Sequence, residues 1–171
     1  DNVLRPVLIR RGADLPLIDE SYAVISIPFS FKFYETARSS ISVNANGLIY
    51  FEDKKYEGSN KCIPDTGVVQ EFIALLWDDL DPGPYGHGSV QYQVLGNAPY
   101  RRLIVQWTDV PHYFSDSGGW GTFQVVLHEG SDHILFQYKD VDFGKAAHNF
   151  GMSATVGIQR DSITGIQYSC N

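Results

Sequence analysis

The chain has little of what membranes, metal clusters, helical bundles or nucleic acids require. Of its 171 residues only two are cysteine, one is methionine and nine are alanine. Cys62 and Cys170 are too far apart for a CxxC redox centre, and two thiols are too few for a Cys-ligated zinc. No apolar run approaches the roughly 18 residues that cross a bilayer. The first residues lack the basic-then-apolar layout of a signal peptide, as expected of a chain whose signal has been removed or of a trimmed domain. Basic residues are outnumbered, 13 Lys and Arg against 20 Asp and Glu, for a net charge of −7. That excludes the electrostatic footprint of a nucleic-acid or anionic-lipid binder. There is no internal repeat, low-complexity tract or interior linker. No G-x-S-x-G elbow, H-E-x-x-H pair or P-loop occurs either, so the expectation is a protein that is not an enzyme.

What is abundant is strand chemistry. The 23 aromatics together with 14 Val, 13 Ile and 6 Thr make 56 residues, and 24 Gly and Pro break them into short runs. The length fits one domain able to bury about 70% of its unfolded surface. Alternation and apolar runs predict strands over residues 22–27, 29–33, 40–43, 48–51, 68–76, 89–94, 102–107, 121–128, 133–138, 153–158 and 165–169. Asn46-Gly47 reads as a hairpin turn supplying positive φ. The fold expected is all-β, a sandwich of about ten mostly antiparallel strands. Residues 1–19 stand apart as an arm or edge strand, and 20–171 form the sandwich. The two lone cysteines fit a Cys62–Cys170 disulfide in an oxidising compartment, with two unpaired cytosolic thiols as the alternative.

Several blocks also resemble a known family. Pro28-Phe29-Ser30-Phe31-Lys32-Phe33-Tyr34 and Ser42-Val43-Asn44-Ala45-Asn46-Gly47-Leu48-Ile49-Tyr50-Phe51 resemble the opening of the NIDO (nidogen-type) extracellular domain. Ile73-Ala74-Leu75-Leu76-Trp77-Asp78-Asp79-Leu80-Asp81 looks like its next block, and the blocks after it follow in order to residue 171. Similar blocks occur in β-rich domains of bacterial secreted proteases and adhesins. The resemblance runs from about residue 28 and implies a secreted, extracellular, non-catalytic interaction or structural module.

Three regions are candidates for function. The arm carries Val3, Leu4, Arg5, Val7, Leu8, Ile9, Arg10 and Arg11, β-prone and locally basic in an acidic chain. It is either the protein's own first strand or a strand donated to a neighbouring subunit, which repeated head to tail builds a filament. The loop with Tyr113, Phe114 and Trp120, joined by Tyr85, offers flat faces for a glycan or a matrix protein, unless Trp120 caps the sandwich. Asp78, Asp79 and Asp81 are hard oxygen donors that suit Ca²⁺, although Asp81-Pro82-Gly83 is also ordinary turn chemistry. Strand alternation sets Asp79 and Asp81 about 7 Å apart, a glycosidase spacing without any evident means of raising a pKa. His128 and His133 flank a short turn and would need a third ligand to hold zinc. The partners expected are another copy of the chain or an extracellular protein, with a glycan as the alternative.

Overall fold

The computed structural model describes residues 8–51, 59–67, 70–83, 88–113 and 118–170. Arm residues Val3, Leu4, Arg5 and Val7, and loop residues Tyr85 and Phe114, lie outside the described residues, as does His87. Among the described residues, eleven strands form two antiparallel sheets. One has the order β1 (Ala13–Leu15), β6 (Ser89–Leu95), β7 (Arg102–Val110), β8 (Gly121–His128), β9 (Ile134–Asp140). The other runs β11 (Thr164–Ser169), β10 (Thr155–Asp161), β5 (Phe72–Trp77), β4 (Leu48–Tyr50), β3 (Thr36–Asn44), β2 (Tyr22–Phe33). The inner faces share one core that includes Phe31, Ile73, Leu75, Val105, Trp107 and Phe123. No described helix is long and apolar enough to cross a membrane.

Several elements differ from the sequence expectation for physical reasons. Residues 22–27 and 29–33 are a single strand, β2, whose pairing with β3 shifts between Ser26 and Phe31. Pro28 sits in that interval, where a missing N–H breaks no ladder bond. The β2–β3 turn is made by Tyr34 (φ 43°) and Glu35 (φ 67°) without glycine or asparagine. At Asn46-Gly47 only Gly47 takes positive φ (73°), and a Cβ there would collide with the Leu76 carbonyl. The strand expected over 68–76 starts at Phe72 among the described residues.

The outer faces are partly covered too. Tyr50, Phe72 and Trp77 form a second cluster with Ile63 on the outside of the six-stranded sheet. Ile63 N–H donates to Gln167 Oε1 and Asp65 N–H to Gln159 Oε1. The Cys62–Cys170 disulfide closes that cover. On the five-stranded sheet, Ile9 packs on Ile104 and Val126, and its N–H donates to Gln106 Oε1 (2.8 Å). Arg10 and Arg11 are exposed. The edge strand of the N-terminal region is therefore β1, paired with β6, while residues 8–11 lie across their own sheet.

Candidate functional site

Among the described residues two regions are candidates: a polar cluster at one end of the sandwich, and an open apolar edge. The cluster grows from strand ends. Asp78 follows the last residue of β5, and its N–H donates to Asn46 O. His112 follows β7 and Pro111, held by an isolated bridge to Leu80. His148 precedes the short 3₁₀ turn Asn149–Gly151, and Ser153 lies just before β10. These side chains converge, Asp78 (4% exposed) and His112 (9%) buried and His148 and Ser153 half-buried.

The donors and acceptors fix most of the proton positions. His112 Nδ1 lies 2.9 Å from the Tyr113 carbonyl, which only accepts, so Nδ1 carries hydrogen. Its Nε2 lies 3.3 Å from Asp78 Oδ1, another acceptor. With Asp78 ionised, a hydrogen on Nε2 completes this contact, so the pair favours the imidazolium form of His112. Ser153 Oγ donates to Asp78 Oδ2 (2.5 Å) and receives His148 Nδ1 at 3.1 Å. The two imidazoles are stacked, with centroids 3.7 Å apart at 28°.

Electrostatics follow this arrangement. Burial works against the Asp78 carboxylate, but the hydrogen bonds from His112 and Ser153 outweigh it and hold its pKa low. Burial likewise works against His112, and its contacts with Asp78 and the Tyr113 carbonyl raise it on balance. His148 is pushed down by burial and by the neighbouring His112 charge.

The acidic run divides instead of forming one calcium cage. Asp81 Oδ1 accepts the N–H of its own turn, from Gly83. Asp79 joins Asp19 and Glu20, two residues that sequence spacing gave no reason to place beside it. Asp19 Oδ1, Glu20 Oε2 and Asp79 Oδ1 are buried without hydrogen-bond partners among the described residues. Burial and the adjacent Asp19 and Asp79 carboxylates push Glu20 up to about 7. Among the described residues, the groups able to offer three metal-ligand atoms within 4.8 Å of one another are Asp19/Glu20/Asp79 and Asp78/His112/His148. His128 and His133 belong to neither.

The open edge has a topological cause. The six-stranded sheet overhangs the five-stranded one at β11. Ile166 pairs with Ile158 and, like Tyr168 two residues on, faces inward. Among the described residues the facing sheet ends at β9, and Ile166 is 64% and Tyr168 88% exposed. With Ile134, Phe136 and Ile158 they line a groove of about 320 Å³. Leu8, the first described residue, lines a second depression with Gln106, Thr122 and Lys139, on the β8–β9 side.

In the aromatic loop, Tyr113 is half-buried, its N–H donating to Asp79 O. Gly119 abuts the 142–144 backbone so closely that no Cβ would fit, which fixes the neck beside Trp120. The Trp120 ring itself is 45% exposed.

A two-sheet antiparallel sandwich stapled by one long-range disulfide defines an all-β module of extracellular type. The chain belongs to the NIDO-related family, whose match spans residues 12–171. The match takes in β1, upstream of where the sequence blocks first showed the resemblance. No curated protein and no solved structure matches the chain.

Proposed function

We propose that this is a secreted, non-catalytic structural or adhesive subunit that associates by strand addition at the β9–β11 edge. The observation that carries this reading is the unmatched overhang. A strand added beside β9 would cover the inward-facing Ile166 and Tyr168 and continue the β8–β9 ladder. The occupant is the N-terminal arm of a second copy. Val3, Leu4 and Val7 are the arm's apolar side chains, alternate ones of which would enter the groove, and Leu8, in the second depression, lies on the β8–β9 side. Reciprocal exchange of arms closes a pair, whereas passing each arm to the next copy extends a filament.

Sedimentation of the intact protein, a form lacking residues 1–7, and the Ile166→Lys/Tyr168→Lys variant tests this. Intact protein should assemble with rising concentration, and both altered forms should stay monomeric. Assembly unchanged in either altered form, or an intact protein that never assembles, overturns the reading.

The exposed Trp120 ring supports a second reading, glycan or matrix binding by its loop. A glycan array with intact protein and Trp120→Ala separates the two, because strand addition does not require that ring.

A further inference from the structure

We propose that Asp78, His112 and His148 form a binding site for a divalent transition metal of the zinc class. Three observations meet here. First, the acceptor carbonyl of Tyr113 fixes the hydrogen of His112 on Nδ1, leaving Nε2 aimed at Asp78 Oδ1. A metal-bound histidine is held in this way, its second nitrogen donating to a backbone carbonyl. Second, the 3.3 Å between Nε2 and Oδ1 equals the edge, about 3.3 Å, of a tetrahedron with zinc bond lengths. A divalent ion bridging the two atoms would occupy the place of the hydrogen between them. Third, Asp78, His112 and His148 each offer one ligand atom, and the three lie within 4.8 Å of one another.

Ser153 supports the carboxylate from behind by donating to Oδ2, which leaves Oδ1 directed at His112. The surroundings favour a cation: Asp79 interacts with both imidazoles, and Lys145 is the opposing charge near His148. Three protein ligands leave the fourth position to solvent. Binding has a structural cost. The rings are stacked at 28°, so their nitrogens cannot converge on one ion until His148 turns out of the stack. The ion's entry displaces the proton on His112 Nε2 to solvent, and His148 coordinates as a neutral ring.

The test is calorimetric titration of the intact protein with Zn²⁺, alongside nitrogen NMR of the histidine rings. Expected are one ion per chain, simultaneous shifts of the His112 and His148 nitrogens, and affinity at least about tenfold weaker in His148→Ala. His148 is only half-buried, so that variant should fold. His128→Ala/His133→Ala should bind as the wild type does. Absence of saturable binding, or binding unaffected by His148→Ala, overturns the proposal and leaves the proton as the only occupant.

Discussion

Cys62 and Cys170, 108 positions apart, are joined with their Cα atoms 5.3 Å from each other. The bond ties the segment covering the outer face of the six-stranded sheet to the end of its edge strand β11. Closing a loop of this length restricts the unfolded chain by about 4–5 kcal/mol on a chain-entropy argument. The Cys62→Ser/Cys170→Ser protein should therefore lose a large part of that in urea unfolding. A loss below about 1 kcal/mol would mean that Ile63 and Gln167 hold the cover unaided.

Gly47 is a second point of strain control. Its φ of 73° and the Leu76 carbonyl beside it leave no room for a side chain. Its own carbonyl accepts Leu75 N–H and Leu76 N–H, linking the turn to β5. Gly47→Ala should cost at least about 2 kcal/mol and lower the thermal midpoint, because conformational strain and a backbone clash add.

Glu20 predicts how stability depends on pH. Its folded pKa, about 7, lies above the ordinary value of 4.5. The contribution of its neutral form is fully present below 4.5 and is lost as pH rises through about 7. Glu20→Gln should thus stabilise the protein above pH 7 and change little at pH 4. Solvent reaching this loop reduces the effect to on the order of 1 kcal/mol. Thermal midpoints at both ends of the range measure it.

Ile9 anchors residues 8–11 to the outer face of β7 and β8. Ile9→Ser removes most of a buried isoleucine's contribution, about 1.5–3 kcal/mol, from that local attachment. Arg10 and Arg11 should then be cut by trypsin much faster than in the wild type, with the sandwich left intact. Equal cutting rates would show that the Gln106 hydrogen bond is sufficient.

Much of the fold was legible because strand periodicity and turn residues are local. The 29–33, 48–51, 68–76, 102–107 and 121–128 segments announce themselves by alternation or by unbroken apolar character. The Tyr34-Glu35 turn did not, since neither residue type favours positive φ; the adjoining strands impose it. β1 was hidden as well, being three residues long and defined by its pairing with β6.

The candidate site was far less legible. Composition and short-range pattern foretell an acidic, turn-rich β-sandwich, because they set which segments form strands. Long-range packing alone brings Asp78 to His112 and His148 and its neighbour Asp79 to Asp19 and Glu20. Adjacent residues at a strand end point to different sides, and their partners come from segments tens of residues away. The same reason governs the open edge. Ile166 and Tyr168 look like core in the sequence, and they are exposed because one sheet has a strand more than the other.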